Sequence, residues 1–357
     1  MAIHKFFSKL QFARANRLPF VAFRLPNDEH ISIIIQKNDL LHTSLDLGES
    51  GFVFAPFDKA ESCILTPFEV SSFDTYEITD EFYKKSTPNH EPFNQKSSLE
   101  RDKYLELIDK AITQITNEKL EKVVLSRKIY IGAEQIKSED VFKRLLYKYP
   151  NSLTYFWHHP KVGTWLGATP EKLLSLKNAN FSTMALAGTQ ILKPEGRIVW
   201  EEKELKEQQM VTNYLVKVLN KNKIEFKTLK TRNLKAGNLV HICTDIKGKL
   251  PKEVSLFKLV NCLHPTPAVA GLPRQDAIDF IKSNEQYDRS FYTGYLGLIN
   301  KNEEAQKTTD LFVNLRCMQL KNQMAFIYVG GGITKDSNPA NEWKETEAKS
   351  KTLISVL

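Results

Sequence analysis

Short apolar runs alternate along the chain with stretches whose apolar residues recur every three or four positions. Between residues 20 and 80 the runs FVAFRLP, ISIIIQ and GFVFAPF, bounded by Pro, Asn, Asp or Gly, predict strands. From Lys84 to Ser98 the chain is polar, carries two prolines and has no periodicity, which predicts a linker or exposed loop. Tyr104, Ile108, Ile112 and Ile115 then fall on one helical face. KVVLSRKIYI predicts a strand buried near its start, SLTYFWHH and TWLGATPEKLLSLK predict strands with a turn at Thr169-Pro170, and FSTMALAGTQ predicts a strand ending at Gly188. WEEKELKEQQMVTNYLVKVLNK predicts a long helix with Met210, Tyr214 and Val218 on its apolar side. After NLVHICTDIKGKL a helix is expected around EVSLFKLVNCL, then a proline-rich turn, HPTPAVAGLPR, and a helix over QDAIDFIKSN. SFYTGYLGLI, DLFVNLRCMQL and MAFIYVGGG complete the strands. Because strands come in adjacent groups separated by helices, the pattern predicts an α+β fold with large antiparallel sheets rather than a regular βαβ succession.

Composition leaves this picture intact. With 357 residues, 41% of them apolar and 26% charged, the chain reads as an ordinary globular protein with one large core or two modest ones. No run of about eighteen apolar residues offers a spanning helix, so no membrane is expected. The formal charge of +8 is spread along the chain without a basic block or an aromatic-basic stripe. That argues against nucleic acid and is compatible with a small anionic substrate. Cys63, Cys243, Cys262 and Cys317 lie far apart with no ligand spacing, which predicts reduced thiols, a cytoplasmic protein and no zinc. The first 26 residues hold Lys5, Lys9, Arg14, Arg17 and Arg24 without an acid, and an ordinary first helix is the reading preferred over a transit peptide. A phosphate loop, G-x-G-x-x-G, H-E-x-x-H and G-x-S-x-G are all absent from the sequence.

Candidate chemistry lies in two acidic helices. In NPANEWKETEAK, Asn338 suits an N-cap and Pro339 the first helical position, so Glu342, Glu345 and Lys349 share one face. In WEEKELKEQQM, Glu204 and Glu207 are also three apart. Either pattern alone reads as a solvated helix face. Two such pairs would also suit Mg2+, which takes one or two protein carboxylates together with waters and an anionic substrate.

What separates these readings is a set of segments in fixed order: KVVLSRK (122–128), GATPEKLL (167–174), ALAGTQ (185–190), WEEKELKEQQMV (200–211), LHPTPAVAGLP (263–273), YTGYLG (292–297), VNLRC (313–317), YVGGGI (328–333) and NEWKETEAK (341–349). Together they resemble the chorismate-utilising enzymes, namely isochorismate, salicylate, anthranilate and aminodeoxychorismate synthases. The resemblance covers residues 98 to 357, the catalytic region, while residues 1 to 97 are a divergent, strand-rich part of the same fold. It implies a single domain like anthranilate synthase component I, a Mg2+ cofactor and chorismate as substrate. By resemblance, Glu207 and Glu345 bind the metal directly and Glu204 and Glu342 hold its waters, with Lys349 beside them. Tyr292 and Arg316 match the anchors of the enolpyruvyl carboxylate, since a guanidinium fork and a hydroxyl both donate to it. Gly331 allows backbone amides to approach the ligand. Gly188, Thr189, Ala268 and Val269 join the implied substrate contacts, and His241 matches a histidine near the ring carboxylate.

Four positions bear on the branch. Lys122 matches the lysine that deprotonates water in the water-adding branches, where ammonia-using enzymes resemble one another in having Gln. A base must be neutral to act, so burial of Lys122 near other cations is expected. Glu171 matches a general acid, which burial would keep protonated. Ala187 stands where aminodeoxychorismate synthases carry a nucleophilic lysine. HPTPAVAG resembles the isochorismate synthase version of its loop, whereas anthranilate and salicylate branches tend to have Thr where Ala268 stands. The resemblance therefore implies hydroxyl transposition on chorismate to isochorismate. Its alternatives are a salicylate synthase or an ammonia-using component, and no obligatory glutaminase partner is implied.

Overall fold

The computed structural model describes residues 2–78, 98–192, 198–237, 239–303 and 306–357. One sheet runs, in spatial order, through β15 (Gly271–Leu272), β7 (Lys122–Gly132), β19 (Met324–Ile333), β18 (Cys317–Lys321), β9 (Gly163–Thr169), β8 (Leu153–His159), β1 (Phe20–Arg24), β2 (His30–Gln36) and β6 (Ser71–Glu77). The other runs through β12 (Glu225–Thr228), β14 (Leu239–Lys249), β11 (Asn180–Ile191), β10 (Lys172–Lys177), β17 (Gln306–Val313), β16 (Tyr295–Glu303), β4 (Gly51–Ala55), β5 (Cys63–Pro67) and β3 (His42–Ser44), with β13 (Arg232–Ala236) paired to β14. The pairings are antiparallel, as between β7 and β19 and between β11 and β14. Strands from both the N-terminal and C-terminal parts enter each sheet, so the chain is one α+β unit.

The apolar runs explain the layering. FVAFR and GFVFA are buried along their whole length, which requires cover on both faces of their sheets. Between the sheets lies a core of large aromatics: Phe23 and Trp165 from the first sheet meet Phe52, Phe54 and Phe312 from the second. Phe54 stacks on Phe291 with centroids 4.3 Å apart. On the outer face of the first sheet pack α1 (Ala2–Ala15) and α3 (Ser138–Lys148), and on that of the second α4 (Glu202–Lys221) and α5 (Leu256–Leu263). A fourth cluster joins β7 to α2 (Ser98–Thr116) and α6 (Arg274–Asn284), with Trp343 of α7 (Pro339–Ile354) against it.

Several sequence readings change. The linker expected over residues 84–98 lies outside the described residues as far as 97, and Ser98 begins α2. The chain also forms α3, beyond the elements expected from sequence; its buried Val141, Phe142, Leu145 and Leu146 make an amphipathic stripe. On α4 the buried face is Gln208, Val211, Thr212, Leu215 and Leu219, one position around from Met210, Tyr214 and Val218, which are half-buried. Gln208 lies inward because its amide donates to Thr212 and Thr244 at 2.9 and 2.7 Å. β11 does not stop at Gly188. It shifts register there, between Ala187 and Thr189, and continues to Ile191. DLFVNLRCMQL is not one strand: β17 ends at Val313 in one sheet and β18 begins at Cys317 in the other.

Candidate active site

Three departures from regular strand geometry meet at one cavity. Gly188 at the β11 bulge has φ +69°, which a glycine adopts without strain. Thr293 and Arg316 have φ 60° and 48°, a conformation that costs a side-chain-bearing residue energy and concentrates at functional sites. All three line a cavity of about 740 Å³, open mouth included, in the range of small-molecule sites. Glu171, Ala187, Thr189, Glu207, His241, Ala268, Val269, Tyr292, Gly331, Glu345 and Lys349 line it too. Twelve of the fifteen site residues expected from sequence, Gly188 and Arg316 among them, thus line the cavity together with Ala187, and Lys122, Glu204 and Glu342 do not.

Lys122 opens β7 and is fully buried, its Nζ 2.7 Å from Glu207 Oε1. The expected neighbouring cations are not what meets it: the contacting charge is the Glu207 carboxylate. Burial pushes the Glu207 carboxyl up, but Lys122 first, then Lys349 and Lys203, more than reverse this and hold it below the usual range. Glu171 follows the β9–β10 turn and is 3% exposed. Desolvation pushes its carboxyl up to about 8, against a downward pull from Lys122. The cavity wall therefore carries an acid protonated at neutral pH, and a buried lysine stands near enough to act on its charge.

Glu342 is buried, receives a hydrogen bond from Lys203 on one oxygen, and has no partner for Oε2 among the described residues. Desolvation and then the charge of Glu345 push its carboxyl up. Lys349 donates to Glu345 and, at 2.8 Å, to the Gly330 carbonyl. Glu204 takes a backbone partner at the start of its own helix. Its carboxylate accepts the Glu201 backbone N–H at 2.9 Å as the capping-box partner that starts α4. Lys203, which sequence reasoning passed over, stands next to Glu204 and is the cation that anchors α4 to α7.

The triple glycine explains how these groups meet. A Cβ on Gly332 would lie 2.4 Å from Glu207 Oε1 and 2.9 Å from Lys122 Cε. One on Gly331 would lie 3.4 Å from Glu342 Oε2 and 3.7 Å from Glu345 Oε1, and one on Gly330 3.0 Å from the Tyr292 hydroxyl. Bare backbone in β19 is the floor on which both acidic helices rest their carboxylates. Gly332→Ala is expected to displace the Lys122–Glu207 pair and lower kcat by about 100-fold in a protein that still folds, as steady-state kinetics and circular dichroism would establish.

Among the described residues no three His, Cys, Asp or Glu side chains are assembled as a metal cage. The donors still fit a dication that keeps waters and takes substrate oxygen: Glu207 and Glu345 share the cavity wall, and the orphaned Glu342 Oε2 is an acceptor awaiting a donor. The remaining polar groups suit an anion. Tyr292 is buried, stacks on Tyr328 at 5.3 Å and keeps its proton because burial raises its hydroxyl. Arg316 donates to the Lys349 carbonyl at 3.4 Å. His241 Nδ1 is 3.0 Å from the Gly188 carbonyl, which can only accept, so that nitrogen carries the proton. Burial, and then Arg316, lower this imidazole to about 3. Its Nε2, without a partner among the described residues, offers a lone pair, so a hydroxyl and not a carboxylate is its fitting direct partner.

An antiparallel double-sheet fold with a cavity that joins a protonated acid, carboxylates and anion donors, and a buried lysine close to that acid, is that of an enzyme working on a small polyanionic substrate. The chain belongs to the chorismate-binding enzyme family, whose description matches residues 66–357. It is 30% identical over 269 residues, 72% of its length, to isochorismate synthases from Escherichia coli (strain K12) and Bacillus subtilis (strain 168). It spans 67% and 56% of the length of those relatives. In fold it matches the menaquinone-specific isochorismate synthase of Escherichia coli with a TM-score of 0.77 at 20% identity, over 95% of this chain and 88% of that one.

Proposed function

We propose that this protein is an isochorismate synthase, converting chorismate to isochorismate by adding water at C2 and expelling the C4 hydroxyl. The observation that carries the reading is Glu171 on the cavity wall, protonated up to about pH 8, with the charge of the fully buried Lys122 acting on it. Lys122, as the free amine, takes a proton from the water that bonds to C2. The ring double bonds shift, the C4–O bond breaks, and Glu171 gives its proton to the departing hydroxyl. Water enters and water leaves, so the reaction is an isomerisation with no redox change. Tyr292 and Arg316 donate to the enolpyruvyl carboxylate.

Glu207 and Glu345 would hold Mg2+, with Glu342 and a rotated Glu204 on its waters. When bound, that ion fixes and polarises the ring carboxylate. The four-carbon reach of Lys349 and Lys203 lets both withdraw from Glu345 and Glu342 as the site fills. A cytoplasmic setting belongs to the same reading, and among the described residues no helix is long and apolar enough to cross a membrane.

The test is product analysis by chromatography after incubation with chorismate, with Mg2+ or with EDTA. Isochorismate is expected as the sole product, with turnover reduced at least tenfold by EDTA and restored by excess Mg2+. Prompt stoichiometric salicylate, read by its fluorescence, would identify a salicylate synthase; product formation that requires ammonium would identify an aminating enzyme. Either result overturns the proposal.

A further inference from the structure

Behind the cavity wall, out of reach of any ligand in it, lies a second pair of opposite charges. Glu285, the C-cap of α6, and Arg289, four residues on, have side chains only 1% and 2% exposed. Arg289 has five N–H donors and each meets an acceptor. Nε donates to Glu285 Oε2 at 2.8 Å and Nη2 to Glu285 Oε1 at 2.6 Å. The second Nη2 proton goes to the Val124 carbonyl at 2.7 Å, and Nη1 donates to the Val269 carbonyl at 3.0 Å and Thr293 Oγ1 at 3.3 Å. Glu285 Oε1 also accepts the backbone N–H and hydroxyl of Ser126 at 2.7 and 2.9 Å.

The acceptors have one thing in common. Val124, Val269 and Thr293 all line the cavity, whereas Glu285 and Arg289 do not. Val124 is two residues beyond Lys122 on β7, and Val269 belongs to the loop that follows α5 and supplies part of the substrate wall. Direct backbone pairing joins these segments on one side, where β15 pairs with Lys122 and Val123 and where Glu121 N and Val124 N donate to the Leu272 and Ala270 carbonyls, each at 2.8 Å. The guanidinium adds a planar, five-pronged spacer between them, with Phe57 under its face at 4.7 Å.

We propose that the Glu285–Arg289 pair is a positioning device for the reaction: it sets the separation between the strand that carries Lys122 and the Ala268–Val269 wall against which the substrate ring rests. This rests on the activity proposed above. An ordinary buried ion pair would need only charge balance. A spacer needs the fork, because an ammonium in place of the guanidinium has three donors on one atom and cannot span the Val124 and Val269 carbonyls while holding both Glu285 oxygens.

Arg289→Lys separates the two roles. The lysine keeps the charge opposite Glu285 and the fold, while the spacing is lost; kcat is expected to fall by about 100-fold with KM for chorismate within about threefold of wild type. A kcat within threefold of wild type overturns the inference. Because a buried-pair variant can fail to fold, Ser126→Ala serves as the mild arm. It removes one bond that ties Glu285 to β7 and should lower kcat between about 3-fold and 10-fold; no change overturns the inference. Amide hydrogen exchange on Ser126→Ala reads the geometry without chorismate. Faster exchange confined to Val123–Ser126 and Ala268–Ala270 supports the spacer, and unchanged exchange there refutes it. Wild-type protein that leaves chorismate intact would overturn the proposed activity, and the exchange result would still decide whether the pair positions β7.

Discussion

Replacing Glu171 by Gln is expected to lower kcat by about 1,000-fold while leaving chorismate affinity within a fewfold of wild type. General acid catalysis is typically worth about 10²- to 10⁴-fold, and an amide of the same shape cannot transfer a proton to the leaving hydroxyl. The same substitution should stabilise the protein near neutral pH. In the folded chain the carboxyl keeps its proton up to about pH 8, against 4.5 for an unperturbed Glu. Its folded value is raised, so its contribution to stability is fully present below about pH 4.5 and is lost as pH rises towards 8. Over that window the stability advantage of the Gln variant over wild type should widen, reaching on the order of 3 kcal/mol at pH 7. Thermal melts of both proteins at pH 5 and pH 7.5 measure it; a pH-independent difference would place Glu171 in contact with water and remove its role. Wild-type kcat/KM should decline above about pH 8, where the free enzyme loses this proton.

Lys122→Met should be as damaging to turnover and should also cost stability. The base is gone, which again removes about 10³-fold of rate. The partner carboxylate of Glu207, 16% exposed, is left without the cation that stands 2.7 Å away in the wild type. Stripping one member from a buried pair typically costs about 3–5 kcal/mol, and this partial exposure places the loss towards the lower figure, about 3 kcal/mol. Lys122→Arg separates charge from proton transfer: a guanidinium can keep Glu207 company but does not deprotonate in a protein. The Arg variant should therefore melt close to wild type and still fail to turn over chorismate. Wild-type kcat in Lys122→Arg would show that the residue serves only as a counter-ion.

Much of this protein could be read along one dimension. Strands such as FVAFR and GFVFA are visible because burial on both faces demands unbroken apolar runs. The N-cap at Asn338, whose side chain accepts the Asn341 N–H at 3.1 Å, is equally legible, and with it the common face of Glu342, Glu345 and Lys349. Nine ordered segments were enough to mark the family. α3 escaped although its stripe was present, and the apolar face of α4 was placed one position off because Gln208 and Thr212 are polar yet buried.

Which partners these residues find was settled only in three dimensions. Glu204 and Glu207 look equivalent in sequence, but helix capping takes the first and Lys122, 85 positions away, takes the second. The apparent strand DLFVNLRCMQL breaks at Arg316 because its halves pair in different sheets, which turns that side chain into the cavity. Glu285 and Arg289 stand four positions apart just past the end of α6, and nothing local says that the acceptors of Arg289 include the backbones of β7 and the substrate wall. Periodicity, capping and composition act over a few residues and so are written in the chain. Proton affinity, charge balance and spacing depend on what packing removes from water, and packing brings together residues far apart in sequence.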